Sequence, residues 1–597
     1  MAASHPRPWQ RHGARLVMLA MLAAVPPCAA DESGWSRAGW YTDYEQALTR
    51  ARSAARPVFV YFDAAWCSWC QQYRRDTLDQ PRVIAALRKD YIAVVVDYDT
   101  RPELFQRYGG KGLPFTVILA ADGHVLNRFV GLLTTPDLLD VLARFAAARP
   151  AAAPPDTALS AGIAVGSLDW RGYNDFRRAF LDHIESLYRA DSGTLSGRFE
   201  TGATLKRPSP LTWMYLLDDA AWRARAQRAA SAEAHRLLDR HDGGFFSFLD
   251  PARFDEEYLE TSKLLESNAW LSAWLAQVGR QDRAARNAAR RGWIFLRDVL
   301  WDAKHGGFWQ AQVADNRYYA LSAAARKRTA PPPLDRSKRA DTNAQAVLAL
   351  LRYSRFAGDP AAAKYAADTL DFILGTLLHN STLFHILRDG RPANPDLPQD
   401  WFWVLAAGAE LEARRPDKSR HKRLTVIAER AGEWLSVRMG ARDTEPLTVE
   451  LAGLIAWVGG RQDLYPSIPE GTRAWALRQL RIETDTPPDD VVFGLMAWEQ
   501  LLSSAQMDTG KKRSSGPTEL LAGDKQFGLA AVAQDLGACC IAQFDRRQPE
   551  RPAVSPATAL RHGARLLRHP HLAHPYMDAS ADLHRSRFQA VADFLAR

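Results

Sequence analysis

The sequence predicts a small α/β domain followed by a larger all-α domain closed into an (α/α)6 toroid. Between residues 35 and 147, short β-branched runs alternate with stretches whose apolar residues recur every three or four positions. From residue 166 to 510 the strand pattern nearly disappears and helical stretches recur in pairs. At 597 residues the chain is also too long for one hydrophobic core, so at least two domains are expected.

The α/β elements follow one another in a definite order. Helices are predicted at DYEQALTRARSAA, CQQYRRDTL, PRVIAALRKD and TPDLLDVLARFAA, and strands at PVFVYF, YIAVVVDYD and both halves of PFTVILAADGHVLNRFVG. The last segment is a predicted hairpin, because Asp122 and Gly123 form a turn between two apolar runs. An Ala/Pro-rich stretch, residues 148–165, predicts an extended linker, since proline removes a backbone donor and disfavours helix.

The helical pairs share one asymmetry. The first helix of a pair is more apolar all round than the second, as in ADTNAQAVLALLRYSRFAG, whereas the second carries its charges on one face, as in DPAAAKYAADTLDFILGTLLH. This difference predicts an inner and an outer layer, and roughly a dozen helices suit six closed hairpins. GGFF and GGFW, which begin at Gly243 and Gly306, are expected to turn the chain and bring an aromatic ring to the mouth of the toroid. Residues 511–597 are expected to be partly helical and are not assigned.

The first 30 residues have the composition of a secretory signal peptide. Three arginines precede an apolar run, residues 16–25, and small residues continue to Ala30. We expect cleavage near Ala30 and a periplasmic or secreted protein, because the run is shorter than the roughly 20 residues of a membrane-spanning helix. Lipidation at Cys28 is less favoured, since two prolines precede it. No later segment predicts a membrane span, and the net charge of +9 is scattered, which gives nucleic-acid binding no support.

Two cysteines three residues apart follow the first predicted strand. Cys67 begins the next helix, where the helix dipole favours a thiolate, and Cys70 lies one turn further on, where it can resolve a mixed disulfide. Pro114 precedes a later strand and predicts a cis-proline loop that faces the disulfide and offers the Leu113 backbone to a peptide. A zinc site is less favoured because a second ligand pair is missing, and an inert disulfide is the other alternative. No metal or other cofactor is predicted beyond the disulfide.

These residues carry a family resemblance. Trp66, Cys67 and Cys70 after a strand, followed by Pro114 and by Gly131 before the last helix, resemble the thioredoxin fold. WCSWCQQYRRDTLDQPRVIAAL is similar to the C-terminal domain of the bacterial DsbD interchange proteins. The resemblance implies a redox-active disulfide that acts on protein thiols and disulfides, with a membrane electron donor as a further expected partner. It implies catalytic roles for Trp66, Cys67, Cys70 and Pro114.

The chain departs from this family at one position. Thioredoxins bury an acid six residues before the first cysteine, where this chain has Tyr61. The nearest acid is Asp63, which is expected to lie near the cysteines. We therefore expect proton transfer from Cys70 to use either Asp63 or water.

Polar residues within the predicted inner helices are candidates for a second site. Inner helices of a toroid face a central cavity, and carboxylates beside indole rings suit a carbohydrate, whose C–H faces stack on aromatic rings. Two carboxylates can also carry out glycoside hydrolysis. Core packing and helix capping are the competing explanations for every one of them. The candidates are Lys263, Glu266, Asn268, Asp341, Asn343 and Asp400, with Trp309 and Trp401 as aromatic surfaces.

The helical part also carries a resemblance. GGFFSF, SKLLESNAWL, GGFW, ADTNA, LRDG and PQDWFWVL follow the α/β domain in the order found in the spermatogenesis-associated thioredoxin-domain proteins, up to about residue 415. That resemblance implies a six-hairpin glycosidase and epimerase class of toroid. Family members have HFEKMLYDNA where this chain has ETSKLLESNA, which keeps Lys263 and Asn268 but replaces two acids by Ser262 and Ser267. The replacement weakens a hydrolase hypothesis.

Three functions are compatible with these patterns. The favoured one is an exported thiol:disulfide oxidoreductase whose toroid binds a substrate or partner. The second is a carbohydrate-active toroid with an accessory thioredoxin domain, and the third is a non-catalytic interaction protein. Cys539 and Cys540 are interpreted as helix packing, and His569, His571 and His574 as part of a surface loop rather than a metal site.

Overall fold

The computed structural model describes residues 39–146, 162–190, 192–195, 197–198, 204–205, 209–250, 258–441, 446–483 and 486–508. The predicted signal peptide, most of the predicted linker, Cys539, Cys540 and the three C-terminal histidines lie outside these residues. Among the helices that the structure describes, none is long and apolar enough to cross a membrane.

Residues 39–146, here the α/β domain, contain nine elements. Its helices are α1 (Tyr44–Ala54), α2 (Ser68–Tyr73), α3 (Pro81–Asp90), α4 (Pro102–Arg107) and α5 (Thr135–Phe145). Its strands are β1 (Val58–Asp63), β2 (Ile92–Asp97), β3 (Phe115–Leu119) and β4 (Val125–Val130). A π-helical turn, Arg74–Leu78, continues α2. The sequence predicted all of these except α4.

The described residues from 162 to 508 form the helical domain. Its helices are α6 (Trp170–Leu187), α7 (Pro210–Leu216), α8 (Arg223–Arg236), α9 (Leu265–Val278), α10 (Arg283–Phe295), α11 (Asn316–Tyr319), α12 (Ala323–Arg326), α13 (Ala340–Ala357), α14 (Pro360–Phe372), α15 (Pro398–Glu412), α16 (Lys418–Gly440), α17 (Val449–Val458), α18 (Thr472–Leu477) and α19 (Pro488–Asp508). π-Helical turns, Leu296–Leu300 and Ile373–Leu377, continue α10 and α14.

Short strands connect these helices. They are β5 (Ile163–Ala164), β6 (Tyr188–Arg189), β7 (Thr194–Leu195), β8 (Gly197–Arg198), β9 (Thr204–Leu205), β10 (Phe248–Asp250), β11 (Tyr258–Glu260), β12 (Lys263–Leu264), β13 (Ala311–Gln312), β14 (Leu334–Asp335), β15 (Lys338–Arg339), β16 (Leu378–His379), β17 (Thr382–Arg388), β18 (Arg391–Pro395) and β19 (Arg481–Ile482). β5 pairs with β19, so the end of the predicted linker is part of the helical domain.

The α/β domain is a sheet with helices on both faces. The strand order is β2-β1-β3-β4, with β1 parallel to β2 and β3 antiparallel to both of its neighbours. Successive side chains of β1 point to opposite faces. Phe59 and Tyr61 join an apolar cluster with α3 and α5, whereas Val58, Val60 and Phe62 join one with α1 and α4. Because β1 is buried on both faces, it is a continuous apolar run rather than an alternating one.

The helical domain is a closed double ring, as the sequence predicted. The inner helices α7, α9, α13, α15, α17 and α19 each contact the next, and α19 returns to contact α7. The outer helices α6, α8, α10, α14, α16 and α18 pack around them. Since the chain alternates between the layers, the inner helices run in one direction and their amino-terminal ends gather at one mouth. We call this end of the ring the amino mouth.

The amino mouth is lined by acids in a regular position. The first turns of α9, α13, α15, α17 and α19 contain Glu266, Asp341, Asp400, Glu450 and Asp489, respectively. The positive end of each helix dipole favours a carboxylate there. The ring therefore concentrates carboxylates at one end.

The two Gly-Gly turns before the inner helices have the predicted backbone. Gly244 and Gly307 have φ angles of 74° and 72°, which side-chain-bearing residues rarely adopt, and a Cβ on either would lie within 2.6 Å of a phenylalanine ring. The expectation that the following aromatic ring faces the mouth was wrong. Phe245 and Phe308 are both fully buried in the apolar core, because the turn folds them back between the helices.

One antiparallel hairpin in the helical domain was not predicted. β17 pairs with β18 across Asp389 and Gly390, which have positive φ, and β17 also pairs with β15. The β15 pairing places Arg339 opposite Ile386. The hairpin thereby brings His385 close to the first turn of α13.

Candidate functional site

The cysteine pair lies at the start of α2, immediately after β1. Cys67 is the N-cap of the helix, and its Sγ accepts a hydrogen bond from the backbone N–H of Cys70 at 3.1 Å. The two side chains are joined in a disulfide, with the Cα atoms 5.3 Å apart. The Leu113–Pro114 peptide bond is cis, as predicted, and Leu113 packs against the disulfide. The local arrangement is thus a strand, a disulfide at a helix start and a cis-proline loop.

Tyr61 and Asp63 form a polar path behind the cysteines. The Tyr61 hydroxyl donates to the backbone carbonyl of Cys70 at 3.3 Å and also interacts with the carboxylate of Asp63. Burial, together with the negative charge of Asp97, raises the pKa of Asp63 to about 7. Asp63 can therefore exist in either protonation state near neutral pH.

The cysteine-bearing face of the α/β domain is docked on the helical domain. Cys67 and Cys70 are only 3% and 1% exposed, which is too little for direct attack on a large substrate. The hydroxyl of Ser68, between the cysteines, donates to the carboxylate of Glu260 at the end of β11. Tyr98 covers the disulfide from one side.

Ionic contacts hold the two domains together. Arg339 donates from Nη1 to Oδ1 of Asp99 at 2.8 Å, and from Nε to Oδ1 of Asp341 at 3.0 Å. The other oxygen of Asp99 accepts a 2.8 Å hydrogen bond from the indole of Trp66, beside the first cysteine. Arg388, in the β17–β18 hairpin, forms a second ion pair with Asp97. The predicted catalytic residue Trp66 is thus connected through one carboxylate to the amino mouth.

Amide contacts extend this interface. Asn394 donates from Nδ2 to the backbone oxygen of Thr100 at 2.8 Å and to Oε2 of Glu103 at 2.9 Å. Gln106 in α4 donates to Gln399 at 3.2 Å. The segment around α4 is therefore bound to the rim of the ring.

A buried cluster of Asp341, His385 and Asp400 lies at the amino mouth. One potential ligand atom from each of the three lies within 4.8 Å of the other two. Nδ1 of His385 is 2.9 Å from both carboxylate oxygens of Asp400. Burial alone would lower the pKa of His385, but the contact with Asp400 raises that pKa overall. The Arg339 guanidinium, against the effect of burial, lowers the pKa of Asp341.

Within the part of the chain that the structure describes, two polar atoms near this cluster have no hydrogen-bond partner. They are Nε2 of His385, whose side chain is 1% exposed, and Oε2 of Glu266. Burial raises the pKa of Glu266 to about 7. A histidine held by a carboxylate through Nδ1 with a free Nε2 can act as a general acid or base, or bind a metal. For a metal, Arg339 would have to release Asp341, whose oxygens it already occupies.

Three predicted substrate-binding residues have structural contacts instead. Lys263 is fully buried, and its Nζ donates to Asp239 at 2.8 Å and to the carbonyl of Gly243 at 2.7 Å. Asn268 and Asn343, both fully buried, clamp the backbones of Phe245 and Phe308. These contacts fix the two Gly-Gly turns, so we do not include the three residues in the site.

The two predicted aromatic surfaces lie elsewhere as well. Trp401 is 5% exposed and packs edge-on against Trp434 of α16, within the wall between the helix layers. Trp309 is partly exposed, and the guanidinium of Arg336 stacks on it at 5.2 Å. Of the predicted toroid residues, the structure brings together Asp341 and Asp400, with Glu266 nearby.

Sequence reasoning missed three members of the site. His385 was hidden because the hairpin that carries it was not recognised, although Asp389-Gly390 between apolar runs is a hairpin signal. Arg339 and Asp99 were missed because only the docking of the domains makes them neighbours. Nothing in the sequence pattern around either residue indicates that contact.

Comparisons with known proteins identify the α/β domain as thioredoxin-like. Residues 39–121 match the thioredoxin-like family model. Human spermatogenesis-associated protein 20 is 27% identical over 100 residues, which is 15% of this chain and 12% of that protein. Thioredoxin Y2 of Arabidopsis thaliana is 36% identical over 90 residues, or 15% of this chain and 51% of that protein. The matches thus cover the thioredoxin-like domain and only part of each relative's length.

A solved structure is similar to the helical domain. Cellobiose 2-epimerase from Spirochaeta thermophila is 15% identical, with a TM-score of 0.42, over 56% of this chain and 99% of that chain. The ring architecture described above rests on the contacts between the helices of this chain. The protein is therefore a thioredoxin-like domain joined to a six-hairpin ring.

Proposed function

We propose that the chain is an exported thiol:disulfide oxidoreductase, with the ring as a binding module for its substrate or partner. The observation that carries the proposal is the Cys67–Cys70 disulfide at a helix start beside the cis-Pro114 loop. The helix dipole stabilises a thiolate at Cys67 in the reduced form. Export through the predicted signal peptide is part of the proposal, because a disulfide persists in an oxidising compartment.

The exchange transfers two electrons from the reduced protein to a substrate disulfide. The Cys67 thiolate attacks one substrate sulfur, the substrate S–S bond breaks, and the departing thiolate takes a proton from solvent. Cys70 then gives its proton to Asp63 or to water and attacks Cys67 Sγ. The Cys67–Cys70 disulfide forms and the second substrate thiol leaves. In reverse, the same steps oxidise a substrate dithiol.

The docked arrangement restricts which substrates reach the cysteines. With Cys67 3% exposed, a protein disulfide cannot approach Sγ unless the thioredoxin-like domain moves away from the ring. The contacts between the domains described above are ionic or polar, and such groups are readily solvated after separation. We infer that undocking precedes exchange with a protein substrate.

Turnover measurements on the full mature chain test the proposal. Reduction of insulin and of a small aromatic disulfide should require Cys67, since Cys67→Ser removes the attacking sulfur. Cys70→Ser should stop turnover but accumulate a mixed disulfide on Cys67. A chain whose turnover in both redox directions survives Cys67→Ser would contradict the assignment.

A second candidate function is acid–base chemistry on a carbohydrate at the amino mouth. The observation that favours it is the buried His385–Asp400 pair, since Nε2 of His385 and one carboxylate oxygen of the nearby Glu266 have no partner among the described residues. Hydrolysis or epimerisation of a sugar substrate should survive Cys67→Ser and be lost in Asp400→Asn. Sugar turnover that Asp400→Asn leaves unchanged would exclude this role.

A further inference from the structure

Glu260 connects the ring to the segment between the two cysteines. Its side chain is 1% exposed, and its carboxylate accepts hydrogen bonds from the hydroxyl of Ser68 and, at 3.3 Å, from the backbone N–H of Ser262. Burial raises the pKa of Glu260, whereas these hydrogen bonds act in the opposite direction and favour the charged form. Since Ser68 directly follows Cys67, the ring places a buried carboxylate beside the attacking cysteine.

The arginines that cross this interface are occupied by other carboxylates. Arg339 pairs with Asp99 and Asp341, and Arg388 pairs with Asp97. A further negative charge at the interface would therefore lie among carboxylates without either arginine to neutralise it. The disulfide adds no charge, so it is compatible with the docked arrangement.

Reduction of the disulfide changes the charge at this point. A dithiol donor supplies two electrons and becomes a disulfide, while the Cys67–Cys70 bond breaks. One of the donor's protons ends on Cys70, and the other passes to solvent where Cys67 remains a thiolate. This anion lies next to Glu260, at a cysteine that is only 3% exposed in the docked arrangement. Two like charges shielded from water repel each other more strongly than the same charges in water.

We propose that Glu260 couples domain docking to the redox state of the cysteines: it holds the oxidised thioredoxin-like domain on the ring, and the Cys67 thiolate weakens that contact after reduction. The inference rests on the thiol:disulfide exchange proposed above and assigns a regulation to it. The reduced protein, which has to meet a substrate disulfide, undocks more often than the oxidised protein. Because such coupling is reciprocal, docking favours the disulfide by the same factor.

Alkylation of Cys67 by a bulky maleimide separates this coupling from a simple contact. The reduced full chain is labelled in the Cys70→Ser background at about pH 8, where the Cys67 thiolate is favoured. Glu260→Gln keeps an oxygen that accepts from Ser68 but removes the charge, so Cys67 should react about three- to tenfold more slowly. Loss of a merely structural contact would instead speed the reaction.

Glu103→Gln is the matched control. Glu103 accepts a hydrogen bond from Asn394 across the same interface, 2.9 Å from its Nδ2, and the substitution should not slow the alkylation. The proposal would be overturned if Glu260→Gln reacted as fast as the wild type or faster. An equal slowing in Glu103→Gln would also overturn it.

Equilibration of the full chain with glutathione tests the reciprocal effect. Glu260→Gln should shift the thiol–disulfide equilibrium about tenfold towards the reduced form, because the repulsion is gone. Glu103→Gln should keep the wild-type equilibrium. A wild-type equilibrium in Glu260→Gln, together with turnover that requires Cys67, would overturn the coupling alone. A wild-type disulfide that glutathione does not reduce would overturn the oxidoreductase itself.

Hydrogen exchange of the wild type requires no substitution. Residues 97–106 contact the ring through Asp99, Thr100 and Gln106, so their backbone amides should exchange up to about tenfold faster after reduction. Strand β4, at the edge of the sheet opposite β2, is the internal control and should exchange equally in both states. Equal exchange of residues 97–106 before and after reduction would overturn the proposal.

Discussion

Replacing Arg339 by methionine is expected to expose the cysteine pair. The substitution keeps the apolar stem but removes the guanidinium that bonds Asp99 of the thioredoxin-like domain and Asp341 of the ring. While the domains stay docked, Asp99, which is fully buried, is left without its cation. Once they separate, Asp99 enters water and needs no partner. The substitution therefore destabilises the docked state selectively.

The size of the effect follows from the burial of the pair. Removing one partner of a buried ion pair costs about 3–5 kcal/mol. Because about 1.4 kcal/mol is a factor of ten, the undocked fraction should rise about 100-fold or more. The side chains of the Arg388–Asp97 pair are about one-third exposed. Arg388→Met should therefore destabilise the docked state by only about 0.2–1 kcal/mol, which raises the undocked fraction about fivefold at most.

The rate at which a bulky maleimide alkylates Cys67 reports undocking. The reduced full chain is labelled in the Cys70→Ser background, and the Cys67 peptide is quantified by mass spectrometry. Arg420→Met is the matched control, since Arg420 forms a buried pair with Glu412 inside the ring, away from the interface. The reasoning would be refuted if Cys67 of Arg339→Met were alkylated no faster than Cys67 of the wild type. It would also be refuted if Arg420→Met increased the alkylation rate as much as Arg339→Met.

Three further predictions concern protonation and backbone geometry. Burial raises the pKa of Asp63 to about 7, so turnover limited by proton transfer from Cys70 should rise with pH through that value, and Asp63→Asn should flatten the pH–rate profile. Gly307→Ala should lower the free energy of unfolding by about 1–3 kcal/mol in a urea titration, because φ is 72° and the added Cβ would lie 2.5 Å from Phe372. A Gly307→Ala variant as stable as the wild type would show that the turn relaxes freely. Burial raises the pKa of Glu450 to about 7, above its unfolded value, so the contribution of Glu450 to stability is lost as pH rises towards 7. Glu450→Gln should therefore narrow the difference in unfolding free energy between pH 5 and pH 8. A difference equal to that of the wild type would contradict this.

The sequence was sufficient where burial follows local periodicity. β1 and β2 are continuous apolar runs because both faces of the sheet are covered, and the inner helix α13 is apolar on nearly all sides because it is enclosed by the ring. The outer helix α10 keeps its charges on one face for the opposite reason. These patterns predicted the order of elements and the two layers.

The repeated motif shows how the site residues were misjudged. KLLESN and KRADTN share a lysine, an acid three residues later and an asparagine after two more. In both copies the lysine and asparagine hold a Gly-Gly turn, whereas Glu266 and Asp341 point to the amino mouth cluster. A residue that recurs with the same turn is explained by that turn. Comparing the two copies would have separated the structural residues from the acids.

The interface between the domains could not be predicted from local patterns. Asp99 and Arg339 are 240 residues apart, and each is an ordinary charged residue in its own segment. Their pairing depends on the packing of two complete domains. The same holds for Ser68 and Glu260, which are 192 residues apart.

The most direct test of the central claim is the mass of Cys70→Ser after it meets a disulfide. The full chain is reduced, freed of reductant and mixed with a small aromatic disulfide, and the adducts are located by peptide mass spectrometry. We expect one adduct on Cys67 that the wild type resolves within its turnover time and that Cys67→Ser does not form. An unmodified Cys67, or an adduct that the wild type never resolves into the Cys67–Cys70 disulfide, would contradict a thiol:disulfide oxidoreductase.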